Sequence, residues 1–318
     1  MKKYIILALA VVLVLSVALT GCAPQKANLI LATGGTSGTY YPFGGAMAQI
    51  FNSKIANMNV TAQATGASVE NLKLIGKKEA ELAIVQNDMT DYAYNGTETF
   101  KDGKVENVRV IATLYPEVIQ IVASANSGIN SLQDIKGKKF SVGAPGSGAE
   151  ANTRQILEVA GMTYNDFSAN YLSFAESADS LKDNHIDGFL FTSGIPNAAI
   201  QDTATTSTLK FVSIPDDVIK NLTAKYPFFT EYVIPAGTYK GQDADVKTVA
   251  VKATLIVGSE VSEKVVYDLT KALFENQPEL ATAHAKGQEL KLEDAVQGIS
   301  VPFHAGAEKY FKEVGAIK

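Results

Sequence analysis

The chain has 318 residues, 46% of them hydrophobic and 19% charged, and a net charge of −5. That usage is ordinary for two globular domains or one large α/β domain, and it excludes disordered and fibrous classes. With 28 basic against 33 acidic side chains there is no concentrated basic surface for nucleic acid, and one cysteine can form neither an internal disulfide nor a cysteine-built zinc site.

Lys2 and Lys3 precede an almost unbroken apolar run over residues 4–19. The run is short for a bilayer span of about 20 residues, but it has the length of a signal-peptide core. It ends in Leu19-Thr20-Gly21-Cys22, which looks like a bacterial lipobox, where the cysteine thiol is acylated before cleavage. Residues 1–21 are therefore expected to be a lipoprotein signal peptide, with Cys22 the lipidation site. An uncleaved transmembrane anchor is the plainer alternative. Acylation would hold the chain on the outer face of the cytoplasmic membrane, each buried CH₂ contributing about 0.8 kcal/mol. Loss of Lys2 and Lys3 takes the net charge to −7. Cys22→Ser is expected to abolish lipidation and partitioning into detergent, and unchanged partitioning would remove the anchor.

Residues 22–27 (CAPQKA) read as a polar tether. A short apolar strand is expected over residues 29–32, running into GGTSGTYYP (34–42) and a helix over residues 43–53. A second strand near residues 60–64 meets TGAS (65–68) and another helix. A third, ELAIV (81–85), ends in Gln86-Asn87-Asp88. The third strand is continuously apolar, as expected where both sheet faces are covered, and the alternation of strand and helix indicates parallel βαβ units.

The same grammar recurs downstream. A strand over residues 139–142 is followed by GAPGSGAE (143–150) and a helix, one over residues 170–173 by a further helix, and one over residues 187–191 by Thr192-Ser193-Gly194. Two proline-punctuated apolar stretches, residues 111–124 and 226–239, read as crossing strands that act as a hinge. The expected organisation is lobe I over residues 28–115 plus 235–318 and lobe II over residues 116–234. The ligand site is expected in the cleft between them, beyond the carboxyl ends of the strands.

Every loop at those strand ends is small and polar. GAPGSGAE lacks the Lys-Ser/Thr of a P-loop and the glycine spacing of a dinucleotide site, which sets nucleotides aside. What remains is a glycine turn opening a helix, whose free N–H groups favour an anion. Ser147 and Glu150 also have the spacing of a capping box, so Ser147 closes its own helix, contacts ligand, or does both. The first loop offers Thr36, Ser37 and Gly38. Tyr40 and Tyr41 follow, of which one walls the pocket and the other enters the core. Gln86 closes a buried strand, Asp88 reads as a helix N-cap, and Thr192 and Ser193 take the equivalent place in the second half.

Arg109 and Arg154 are the only arginines, and both read as structural. The three histidines, His185, His284 and His304, have no metal-binding spacing, and no GxSxG elbow is present. No cofactor is implied, and the set of neutral donors suits recognition of a small carboxylate without chemistry. A cleft hydrolase would need a base near Ser147 or Ser193, and nothing local supplies one. A surface antigen or adhesin without a small ligand is a weaker alternative.

The motifs GTYYPFGGA (38–46), LAIVQND (82–88), LQDIKGKKFSVGAPGSG (132–148), IPAGTY (234–239) and VPFHAGAEKYFKEVG (301–315) together resemble the TAXI family of TRAP transporter solute receptors, in the right order along nearly the whole mature chain. Ala305 stands where that family often has proline. The resemblance implies an α/β, two-lobed periplasmic-binding-protein fold, type II-like, that closes on a ligand and delivers it to an ion-gradient-driven permease. It implies a monomer whose ligand is glutamate or a related amino acid or dicarboxylate. Carried over by position, Thr36, Ser37, Gly38, Tyr40 and Gln86 face the ligand from one lobe, and Ser147, Gly148, Thr192 and Ser193 from the other. The binding protein of an ABC importer for another small anion is the alternative.

Overall fold

The computed structural model describes residues 26–318, so the signal segment, Cys22 and most of the tether lie outside the described residues. The first lobe opens with β1 (Ala27–Ala32), α1 (Tyr40–Lys54), β2 (Met58–Gln63), α2 (Ser68–Lys77), β3 (Leu82–Gln86) and α3 (Asn87–Asn95). β1 runs parallel to both β2 and β3, giving the spatial order β2-β1-β3. The sequence LAIVQ of β3 is buried at every position, because helices cover both faces there.

The second lobe repeats the pattern with β5 (Lys139–Ser141), α4 (Gly148–Val159), β6 (Ser168–Asn170), α5 (Phe174–Lys182) and β7 (Gly188–Ser193). β5 is parallel to β6 and to β7, so the order β6-β5-β7 matches that of the first lobe. The second strand of this unit, β6, ends at Asn170 and does not run over residues 170–173. The reason is local: the Ser173 hydroxyl and the Glu176 carboxylate form a capping box, which commits Ser173 to opening α5.

Two long antiparallel strands join the lobes. β4 (Val108–Ser124) and β10 (Val246–Gly258) pair along their length from Val118–Ala250 to Val108–Gly258. Beyond that overlap, Val118–Ala123 of β4 pair with β7 of the second lobe. The later half of β10 pairs with β3 of the first lobe. Irregularities in register at Ala253/Thr254 and Leu255/Ile256 bend the pair between the lobes.

The crossing expected over residues 226–239 is thus carried by β10. Within that stretch β9 (Thr230–Ile234) only adds to the edge of β10, and Ile234, Tyr239 and Val246 pack in the second lobe with Val118, Phe189 and Phe191. The return to the first lobe therefore falls inside β10 rather than at residue 235. Completing the second lobe are α6 (Ala198–Thr206), β8 (Leu209–Phe211), paired with β4, and α7 (Asp216–Lys225).

The C-terminal segment packs on the first lobe. α8 (Glu263–Glu275), α9 (Gln277–Ala283) and α10 (Ala305–Glu313) cover the outer face of its sheet, where Val266, Leu269 and Phe311 pack with Phe43, Met47 and Leu255. Ser262 caps α8, and Pro278 opens α9. No helix among the described residues is long and apolar enough to cross a membrane.

Candidate functional site

A cavity opens between the lobes at the carboxyl ends of the parallel strands, the position that open α/β sheets use for ligands. Its volume is about 110 Å³ measured to the centres of water-sized molecules, well above the ~10–15 Å³ that one water needs. The first lobe lines it with residues from the loop after β1, with Thr65 to Ser68, and with Gln86; the second with the loop after β5, with Ser173 and Phe174, and with Thr192 and Ser193.

These loops are short because each leads directly into a helix. As a result the N-termini of α1, α2, α4 and α5 all end on the cavity: Thr39 and Tyr40, Ala67 and Ser68, Ser147 and Gly148, Ser173 and Phe174 line it. α1 and α2 carry no side-chain cap, which leaves early backbone N–H groups free to donate. Four positive helix ends around one cavity favour an anion without any fixed cation. Asn71 sets part of the wall, its amide donating to Thr33 O (2.6 Å) and Ile84 O (2.9 Å) and so tying α2 to β1 and β3.

Of the residues expected to face a ligand, Ser37, Gly38, Tyr40, Gln86, Ser147, Gly148, Thr192 and Ser193 line the cavity. Thr36 does not: the turn closed by Gly38 N–H donating to Gly35 O (2.9 Å) leaves it exposed outside the cleft. Tyr40 is the tyrosine that walls the pocket, whereas Tyr41 is exposed rather than in the core. The Ser147 hydroxyl is already used, accepting from Glu150 N–H (3.1 Å) and donating to Ala144 O (2.7 Å). Ser193 Oγ accepts from Gln120 Nε2 (2.9 Å) and Asn197 Nδ2 (3.2 Å). By contrast, Gln86 Oε1 and Thr192 Oγ1 are buried with no hydrogen-bond partner, the state expected of groups reserved for a polar ligand.

Ser193→Ala is therefore expected to act on the fold. It would strand the Gln120 and Asn197 amides, lowering stability by about 1–3 kcal/mol. Urea unfolding checks this, and a loss of ligand affinity at unchanged stability would contradict it.

The arginines stand apart from the cavity. Arg109 donates to Glu106 O and Val108 O at the strand end, and Arg154 lies beside Glu150 (3.7 Å) on the surface. No histidine lines the cleft. Among the described residues no cluster of His, Cys, Asp and Glu could hold a metal ion.

The lobes touch across the cleft. Glu70 N–H at the start of α2 donates to Gly146 O (3.2 Å), Asn152 of α4 donates to Asp88 Oδ2 (2.8 Å), and Gln155 of α4 donates to the Tyr92 hydroxyl (3.1 Å). Asp88 is not the N-cap of α3. It sits inside the first turn and serves this contact between lobes, and burial pushes its carboxyl up to about 6.

Sequence reasoning missed Glu117. It sits on β4 where the strand passes beneath the cleft, is 2% exposed, and accepts the Tyr40 hydroxyl at 2.6 Å. Burial, opposed by that hydrogen bond, raises its carboxyl to about 8. The available signal was its place as the one charged residue in the apolar run 111–124.

The model of the NMT1-like family matches residues 31–315. Among solved structures the chain is similar to PhnD1 of Prochlorococcus marinus in complex with methylphosphonate (TM-score 0.56, 12% identity, 91% of this chain and 99% of that one). It is similar to the alkanesulfonate-binding protein SsuA of Xanthomonas axonopodis pv. citri bound to MOPS (TM-score 0.51, 12% identity, 91% and 85%). It is also similar to a binding-protein component of an ABC phosphonate transporter of Pseudomonas aeruginosa (TM-score 0.53, 11% identity, 82% and 79%). At these identities the likeness is one of fold, the α/β two-lobed architecture of periplasmic binding proteins.

Proposed function

The chain belongs to the NMT1-like family, and from that premise we propose that it is a non-enzymatic, extracytoplasmic receptor that closes its two lobes on a small organic anion and delivers it to a membrane permease. The observation that carries the reading is the convergence of four helix N-termini on one cavity that has no lysine, arginine or histidine in its wall. Such a cavity holds an anion by backbone N–H groups and hydroxyls, and it releases the anion when the lobes part. Lipidation at Cys22 would keep the receptor beside its permease as a tethered monomer.

Two readings of the permease remain in play. The motif order in the sequence supports a TRAP-type permease driven by an ion gradient, with glutamate or a related carboxylate as cargo. The structural neighbours give more support to an ABC importer, since one of them is itself a component of such a system. Uptake in cells that depend on this receptor separates the two: an ABC importer stops when ATP is depleted at constant ion gradients, whereas a TRAP permease stops when the gradients are collapsed.

The receptor reading is tested by thermal denaturation with a panel of amino acids, dicarboxylates, phosphonates and alkanesulfonates. A ligand at 100 times its Kd should stabilise by about 2.7 kcal/mol and raise Tm by several degrees. A folded protein that responds to none of the panel would overturn the reading.

A further inference from the structure

Glu117 is the one acid in the cavity wall, and its place there is chemically odd. It sits among positive helix ends that attract anions, yet it is itself an acid. Among the described residues no cation forms an ion pair with it: Lys286, whose charge acts on it from a distance, is bonded to Glu289 and lies over the Tyr115 ring. Its only close partners are neutral, the Tyr40 hydroxyl at 2.6 Å and the nearby Gln86 amide. A buried carboxylate without a counter-ion is costly, and breaking up such a pairing leaves an uncompensated charge. The partner it lacks can come from outside. Gln86 Oε1, an acceptor with no donor, adjoins it on the same wall, so this part of the cavity offers oxygen acceptors where the helix ends offer N–H donors.

We propose that Glu117 receives the ammonium group of the ligand, so that the cargo is an amino acid or a like zwitterion, with its carboxylate on the helix N-termini and its –NH₃⁺ against Glu117 and Gln86. The inference rests on the receptor reading above and narrows its ligand class. With the lobes closed over it, burial raises Glu117 to about 8, so until an ammonium group reaches it the carboxyl carries a proton at neutral pH. When the ligand enters, the Glu117 O–H proton passes to solvent, and the carboxylate left behind accepts N–H from the ammonium group, which keeps its three protons. One proton is released for each ligand bound.

The charged and titratable groups that face Glu117 are Tyr40, Tyr115, Asp88 and Lys286. Burial pushes both tyrosines well above their usual range, so they stay protonated, while Asp88, held to about 6, is ionised above that pH. Between pH 6.5 and 8 Glu117 is thus the group in this set that titrates. Affinity for a zwitterion should rise through that window by up to about tenfold per pH unit. An anion without an amine should do the opposite, because the protonated acid donates to it and the carboxylate repels it.

The test is titration calorimetry at pH 6.5 and 8, in buffers of different ionisation enthalpy, with L-glutamate, L-glutamine and L-alanine against glutarate and 2-oxoglutarate. The expected result is binding of at least one amino acid, tighter at pH 8, with close to one proton released at pH 6.5–7. Glu117→Gln should abolish the proton release and weaken that amino acid at least about thirtyfold at pH 8. Tyr40→Phe, which removes the hydroxyl that steadies the carboxylate, should move the pH midpoint upward. Binding of an amino acid with no proton released and no loss in Glu117→Gln overturns the assignment. So does binding of the deaminated acids alone, with affinity falling as pH rises, although the receptor reading then stands. If neither class binds, both fail.

Discussion

Gly148→Val is expected to leave the protein folded while weakening its ligand at least about 100-fold, a loss of about 2.7 kcal/mol. In the closed cleft a Cβ at residue 148 would stand 2.5 Å from Cδ of Gln86 on the opposite lobe and overlap its Oε1. The Gln86 side chain is 2% exposed, and the space open to it is the cavity itself, so yielding to the valine would put its amide where the ligand must sit. Gly148 does not have a positive φ, so a side chain there strains no backbone and the conflict exists only when the lobes meet. Small-angle scattering should therefore show the wild type contracting on addition of a saturating ligand and the variant unchanged. Gly45→Ala, whose added Cβ has nothing within 4 Å, is the matched control and should behave as wild type. A Gly148→Val protein that binds and contracts normally would mean that these two residues do not approach one another in the bound state.

Glu117→Gln is expected to raise the stability of the ligand-free protein at pH 7.5 by about 3–4 kcal/mol, which for a chain of this size is roughly 5–10 °C in Tm. In the unfolded chain the carboxyl titrates near 4.3, whereas in the folded protein burial holds it at about 8. Between those values the folded state keeps a proton that the unfolded state has lost. Wild-type stability consequently falls as pH rises through the window, and it falls no further above about pH 8. Glutamine keeps the shape and has no proton to hold. The advantage of the variant should vanish near pH 4, where glutamate is neutral in both states. Melting curves from pH 4 to pH 8 decide the matter. A variant that is less stable at both ends would make Glu117 an ordinary structural partner of Tyr40.

Both expectations turn on residues that differ in how legible they are before the fold is known. Gly148 was legible because a strand, a glycine turn and a helix start follow one another directly, and that order puts the loop at a carboxyl end of the sheet. Gln86 and Thr192 were legible for the same reason, since each closes a strand that is apolar on both faces. Glu117 was not, because a single acid within an apolar run carries no periodicity, and only the path of β4 beneath the cleft gives it a meaning. Hydroxyl direction was also out of reach. Ser147 and Ser193 look alike in sequence to Ser37, yet two of the three spend their bonds within the protein. The second crossing strand was misplaced because residues 226–239 and 246–258 share the same apolar character. What separates them is pairing with β3, about 170 positions away in the chain, and local pattern does not encode it.

That shared strand has a consequence for the order in which the molecule can assemble. β10 completes the first lobe by pairing with β3 and the second by supporting β9, so neither core is finished before residue 258 has been made. A chain truncated after β9 should have no independent second lobe, and limited proteolysis of such a fragment should find no protected core. With its decisive contacts so far apart in the chain, the protein should fold late and slowly. In the full-length protein both lobes should then melt in one cooperative transition.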